Sequence, residues 1–513
     1  MALIIAFVIF LVYIFVVRPY YLRWKYSRYS NIMLGKKFIP VLGNFKQAID
    51  CIRAGKVHYT WYKEEAEEVK NFDMKLNFEG CHPILYMVSK TACEEFVKHG
   101  RVDIDRSTVR LGFAEMLHGS IVNKCTTKNI FQRRKNMTQL LGLNSASRYI
   151  KKFPLIPKIL SCTRNLLDSM PEQKPIDLLQ EMTELVFNIF NEVLFGKDIT
   201  ELVTKLYPYE NSDGTTEEVT LREILIRLSR CYIVQHLSPL TSIMLYFGAD
   251  TLYYLNPYKR DKKNLDTFKG AIRSIVSTSK ETNSIGNKLY GFSDTTEEEK
   301  ICDLLVIMVG GSETSSHSLV SCLYFLKKHP ETLVKLRKEL EKEGLVKDSD
   351  LSTWKREKLQ DCTYLSCFIK EVMRVDPTVI ETFIYVTNKE TKICNVPIPK
   401  GFQIRLDMMT SNYDSDKWLY PEKFIPERHD FDSEFYQKSK QAGKVQDVYT
   451  RRPFGHGIRN CPGQTYAILE IKVILAYLVT HIDFEFELED MNNEGIGFGL
   501  GTQFNPKIHI SKK

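Results

Sequence analysis

Residues 451–478 read RRPFGHGIRNCPGQTYAILEIKVILAYL. Within this stretch Phe454, Gly457, Arg459, Cys461 and Gly463 fall on the pattern F-x-x-G-x-R-x-C-x-G. From Gln464 onward apolar residues recur at helical spacing, and Pro462 suits the first position of such a helix. Cys461 therefore stands at a helix N-terminus, where backbone N–H groups and the helix dipole favour a thiolate. The glycines let the loop lie close beneath a flat group. The bland alternative is a structural cysteine in a glycine-rich turn, which five matched positions set aside. A soft thiolate suits haem iron and pushes electron density toward O–O cleavage. Arg459 would pair with a haem propionate.

Upstream, SDTTEEEK opens a long apolar segment that Pro330 closes. Either Thr295 with Glu298 or Thr296 with Glu299 forms a capping box. The spacing predicts a helix from about Thr296 to His329, spanning about 50 Å. Gly310-Gly311-Ser312-Glu313-Thr314-Ser315 lies in its middle. Each interior glycine costs roughly 1 kcal/mol against alanine. Close approach of a flat group to the backbone would offset that, and so would tight helix–helix packing. The Thr314 hydroxyl can bond back to the Gly310 carbonyl and open a polar notch. Further on, SCFIKEVMRVDP places Glu371 and Arg374 on one helix face. Arg428, in WLYPEKFIPERH, could share the Glu371 carboxylate and pin that loop.

Residues 2–17, ALIIAFVIFLVYIFVV, form an uncharged apolar run that is marginal for a membrane span. Arg18 can snorkel, and Tyr20, Tyr21 and Trp24 suit an interfacial belt. Nothing basic precedes Ala2, so an uncleaved anchor is expected rather than a signal peptide. Arg18, Arg23, Lys25 and Arg28 all follow the run, which places the remaining chain in the cytosol. The expected division is a transmembrane anchor over 1–17, a basic, irregular juxtamembrane linker with a Pro/Gly turn over 18–50, and one catalytic domain over 51–513.

The body reads as mostly helical, with Met182–Leu194 and the segment after Thr220 as clear examples. Strands are expected in Glu381–Asn388, Phe402–Met408 and Ile482–Leu488. Ser238–Pro257 is unusually apolar and reads as buried core or as a patch that dips into the membrane. With 43% hydrophobic and 26% charged residues the 513-residue chain is globular rather than disordered. The net charge of +8 suits an anionic membrane or an acidic partner. The absence of Lys/Arg blocks and zinc-finger spacing argues against nucleic acid. The 12 cysteines include no CxxC pair, so those other than Cys461 read as reduced side chains.

These four motifs, in this order, resemble the cytochrome P-450 family, in its microsomal, N-terminally anchored form. The resemblance implies a mainly α fold with a small β region in one large domain. It implies haem b with its iron ligated by Cys461, and monooxygenase chemistry on O2 and a lipophilic substrate. Thr314 and Glu313 would be catalytic, feeding protons to bound dioxygen. Cys461, Arg459, Phe454, Gly457, Gly463 and Arg133 would hold the cofactor, while Glu371, Arg374 and Arg428 would be structural. The implied partners are an NADPH-dependent flavoprotein reductase, with cytochrome b5 as a candidate second one. The implied location is the endoplasmic reticulum membrane, single-pass, with the catalytic domain toward the cytosol. Arg133, Arg134, Lys135, Arg451, Arg452 and Lys472 are candidate docking cations. Substrate contacts are expected from Arg101–Lys124, Asn188–Pro257, Asp376–Val386 and Gly495–Phe504. The chain departs from the family at Asn129, where a tryptophan is usual. Arg133 is then the propionate candidate, with Arg134 beside it, and IETFIYV offers no second arginine. Two other readings remain: a reductase-independent hydroperoxide isomerase or dehydratase, and a non-enzymatic haem sensor or carrier. The intact threonine motif and cysteine loop weigh against both.

Overall fold

The structure is a computed structural model. It describes residues 1–54, 56, 60–107, 113–142, 155–172, 174–196, 204–236, 259–278, 284–444, 449, 452–487 and 506–513. Ser238–Pro257, Gly495–Phe504 and Arg451, singled out above, lie wholly or almost wholly outside those residues.

The long helix organises the molecule. It runs Glu297–Lys328, 32 residues, and Thr296 with Glu299 closes the capping box at its start. Its last turn gives way at His329, and Pro330 starts the next helix. Twenty of its side chains are buried, from Ile301 to Leu326. A helix with so few solvent-facing residues can only lie inside the body. It packs against Leu178–Phe195 and against the helix Gln464–His481. These three share one continuous apolar core.

A second layer is a six-stranded sheet: β1 (Ile32–Leu34), β2 (Met74–Glu79), β3 (His82–Met87), β4 (Ile104–Arg106), β5 (Tyr385–Thr387) and β6 (Gln403–Leu406). Its order is β1-β2-β3-β6-β5-β4. Parallel pairing joins β1 to β2 and β3 to β6, and the other neighbours are antiparallel. The strand expected over Glu381–Asn388 is found as β5, with Thr382 and Ile384 adding single backbone bonds to Leu406 and Ser107. The mainly α fold with a small β region is as expected.

The N-terminal region differs from the expectation of an irregular linker. The apolar helix continues without a break from Ala2 to Tyr26. Pro19 and Tyr26 are buried, and the Arg23 guanidinium donates to the Gly35 carbonyl at 3.0 Å. Docking against the body holds these residues helical, a long-range effect that local composition does not carry. β1 likewise belongs to the sheet rather than to a linker.

Candidate functional site

The loop before Gln464 is built by backbone geometry. Gly455 and Gly457 take φ of 74° and 70°, which favour glycine. Gly457–Arg459 form a single 3-10 turn, and the Cys461 N–H donates to the Phe454 carbonyl at 2.8 Å. The helix begins at Gln464 with Gly463 as its cap, two residues later than Pro462 suggested. Burial pushes the Cys461 thiol up, while the N–H groups of Gly463 and Gln464 and the charge of Arg134 oppose it. The residue is nonetheless exposed.

Within Ile301–Ser318 most of the long helix is buried and Gly311 is half-buried; Gly310 is exposed, and Val306, Glu313, Thr314 and His317 are half-buried. Their spacing puts them on one side. A Cβ added at Gly310 would meet nothing within 4 Å, so this glycine borders open space. Gly311 does the other job weighed above: a Cβ there would stand 2.5 Å from the Phe190 ring. The two glycines thus have different reasons, open space and tight packing. Phe190 also meets the Tyr466 ring edge-on at 5.2 Å, which links the notch to the helix that follows Cys461. The Thr314 hydroxyl donates to the Gly310 carbonyl at 2.6 Å, as the motif predicts. Burial pushes the Glu313 carboxyl up to about 7, against the Arg230 charge and a bond from Ser229. Thr378 hydrogen-bonds Ser318 at 2.9 Å, so the following segment runs along this helix. Val379 and Phe383 of that segment are exposed.

Beside Cys461 lie three buried arginines. Arg134 donates to the carbonyls of Ile458 and Asn460 at 3.1 and 2.5 Å. Arg459 donates to the carbonyls of Ile121 and Lys124 and to the Asp105 carboxylate. Arg106, at the end of β4, donates to the Phe383 carbonyl and lies over the Tyr385 ring at 4.1 Å. Burial, then the charges of Arg459 and Arg106, push Arg134 down to about 10. The Nε groups of Arg106 and Arg459 are buried without a partner. Among the described residues three guanidiniums share the one carboxylate of Asp105, and that buried excess of positive charge is costly without an anion. The two propionates of a haem would supply that anion. The residues present fit the group.

Arg133, expected at a propionate, points elsewhere. Its Nε donates to Asp303 at 2.9 Å, its Nη2 to the Gly119 carbonyl at 3.0 Å, and its Nη1 pairs with Glu299 at 3.0 Å. Adjacent helical residues differ by about 100° in direction, so one arginine serves the long helix and the next serves the cysteine loop. The docking cations are also revised. Arg133, Arg134, Arg452 and Lys472 are buried, because each is spent on internal acceptors; Lys135 is exposed, as is Lys128 one face-repeat earlier. Sequence reasoning missed Arg106, since nothing local in IDR distinguishes it.

The Glu371 network closes as expected. Arg374 forks onto both carboxylate oxygens at 2.9 and 2.8 Å, and Arg428 reaches the same group at 2.9 Å. His429 adds a third contact at 2.9 Å, which the sequence did not announce. All four are buried, with Glu371 at 0% exposure.

Comparison with known proteins agrees with this geometry. A family model described as "Cytochrome P450" matches residues 33–509. Cytochrome P450 3A14 of Cavia porcellus is 23% identical over 90% of this chain and 88% of its own. Cytochrome P450 3A17 of the same animal is 24% identical over 68% of this chain and 67% of its own. Protopine 6-monooxygenase of Papaver somniferum is 25% identical over 64% and 58%. Fold, loop and matches define a monooxygenase that carries haem b on a cysteine thiolate. The chain belongs to the cytochrome P450 family.

Proposed function

We propose that the protein inserts one oxygen atom of O2 into a lipophilic substrate, with electrons from NADPH delivered by a flavoprotein reductase and with cytochrome b5 as a second donor. Cys461 is the thiolate ligand, Arg134, Arg459 and Arg106 carry the two propionates, and Phe454, Gly457 and Gly463 shape the loop beneath the ring. When bound, haem supplies the redox-active iron at which dioxygen is activated. The protein's part is positioning and proton supply. The Thr314 hydroxyl, oriented by its bond to the Gly310 carbonyl, stands on the accessible helix face and passes protons toward the oxygen. Glu313, with its carboxyl near neutrality, reloads it from the side of Ser229 and Arg230. Val379 and Phe383 give the pocket an apolar wall, which favours a lipophilic substrate. Lys128 and Lys135 offer an exposed cationic edge for an acidic reductase. The N-terminal helix anchors the chain in the endoplasmic reticulum membrane with its body toward the cytosol.

The observation that carries this reading is the cluster of three buried arginines, two with unpartnered N–H groups, beside the exposed residue Cys461. The test is a carbon monoxide difference spectrum of the reduced protein, followed by turnover with a reductase. A thiolate-type Soret band, and substrate oxidation that needs NADPH, support it. An imidazole-type band, or equal turnover of a lipid hydroperoxide without NADPH, overturns it.

A further inference from the structure

Arg106 closes β4, and the strand pairing sets it opposite Tyr385 on β5. Its guanidinium lies over the Tyr385 ring at 4.1 Å, and Phe96 meets that ring edge-on at 4.9 Å. The same guanidinium lies 5.5 Å from the centre of the Phe383 ring, and its Nη1 donates to the Phe383 carbonyl at 2.9 Å. One planar cation thus engages two aromatic rings and a backbone acceptor. The N–H of Ser107 adds a bond to the Ile384 carbonyl at 3.2 Å. Residues 383–385 are therefore zipped to the end of β4.

The Phe383 ring is left out of this zipper. It is 47% exposed, although the backbone on both sides of it is pinned. Before it, the Thr382 N–H donates to the Leu406 carbonyl at 3.2 Å, and the Thr382 hydroxyl accepts from the Leu406 N–H at 3.0 Å. After it comes the Ile384 bond to Ser107. Arg106 also has donors to spare. A guanidinium carries five N–H groups. Nη1 is used on Phe383, while Nε is buried with no partner. The group can hold Phe383 and an anion at the same time. Arg106 is buried, so an unmatched charge there is costly.

We propose that Arg106 is a positioning residue for substrate selection: while it carries a haem propionate, it holds the Phe383 backbone and so fixes the Phe383 ring as the wall against which the substrate is oriented. This rests on the reading of Arg106 as a propionate partner. Selectivity is then set in part by a residue that touches the cofactor and not the substrate. A point charge does not suffice for this role, because lysine has neither the flat face that lies on Tyr385 nor the fork that serves two acceptors. Among the described residues the Arg106 side chain donates to Phe383 and makes no hydrogen bond to Val379, the other exposed side chain of this wall. Changes at Arg106 therefore act through Phe383 and leave Val379 as it is.

The test uses the full-length ferric holoprotein and two ligands whose ring nitrogen binds haem iron, imidazole and the bulky 1-tritylimidazole, each titrated by the shift of the Soret band. Imidazole reaches the iron without touching the wall, whereas the trityl rings need it. Phe383→Ala should weaken 1-tritylimidazole about tenfold and change imidazole by less than about twofold. Arg106→Leu should shift the ratio of the two affinities in the same direction, and the double variant should go no further than Phe383→Ala alone, because both changes remove one interaction. Arg106→Lys, which keeps a cation, gives the same reading at smaller amplitude should Arg106→Leu load too little haem. A role in stability alone would lower the thermal midpoint and leave the ratio where it is. An unchanged ratio in Phe383→Ala or in both Arg106 variants, or shifts that add in the double variant, overturns the proposal. Haem transfer to an apo-acceptor separates it from the reading beneath it. If Arg106→Leu shifts the ratio but releases haem no faster than the parent, the propionate reading falls and the positioning of Phe383 is supported.

Discussion

Among the described residues two glutamates, Glu371 and Glu470, are fully buried, and they are held in different charge states. Glu371 is surrounded by cations. Burial alone would raise its carboxyl, but the charge and bonds of Arg374, the bond from His429 and the charge of Arg428 hold it well below the usual carboxylate range. Glu470, on the helix that follows Cys461, has no cation. Burial pushes it up to about 8, against the nearby Ser315 hydroxyl and the bond donated by the Tyr466 hydroxyl at 3.1 Å. At neutral pH the first is an anion that ties its helix to the Ile425–His429 segment. The second is a neutral acid beside the residue that follows Thr314. Burial sets the cost of a charge, and the neighbours decide whether that charge is kept.

The most disruptive way to break this comparison is Glu371→Gln. It leaves two buried guanidiniums without their shared anion, and it should cost about 3–5 kcal/mol, read as a large fall in the thermal midpoint and in folded yield. Glu470→Gln should do the opposite. The folded pKa lies above the ordinary 4.5, so the folded state holds an extra proton between about 4.5 and 8. Wild-type stability should therefore fall as pH rises through that window, by at most about 1.4 kcal/mol per unit. Denaturant titrations from pH 5 to 8.5 should show this fall in the parent and a shallower one in Glu470→Gln. An equal slope in both would remove Glu470 from the account.

The same logic of unmatched charge sharpens the site. Arg134→Leu should weaken haem retention more than Arg133→Leu, measured by haem transfer to an apo-acceptor. The reverse order would restore the role first expected of Arg133. Thr314→Ala touches no charge pair and should leave stability within about 0.5 kcal/mol, while product formation drops and peroxide release rises. Unchanged coupling would separate the notch from proton supply.

Much of the site was legible because its signals are local. The Cys461 loop is a run of residue types whose spacing meets a backbone demand. The bond from Thr314 to Gly310 follows from four-residue helical spacing, and the Glu371–Arg374 pair from three. The long helix announces its own ends at Thr296 and Pro330. What stayed hidden depends on which distant segment arrives. Arg133 and Arg134 are adjacent and chemically alike, and only the positions of Asp303 on one side and of the Ile458 carbonyl on the other tell them apart. Arg106 joins the cysteine loop from a strand far upstream. The N-terminal helix runs on to Tyr26 because the body receives it.

The amino-acid sequence by itself determined the Cys461 loop, the notched helix and the buried ion network, because each is a short-range pattern whose chemistry travels with its residues. Tertiary structure alone decided which arginines are left over for an anion, which buried acid keeps its proton, and how the anchor meets the body. Those outcomes depend on desolvation and on partners brought together from far along the chain, and no local window of sequence contains either.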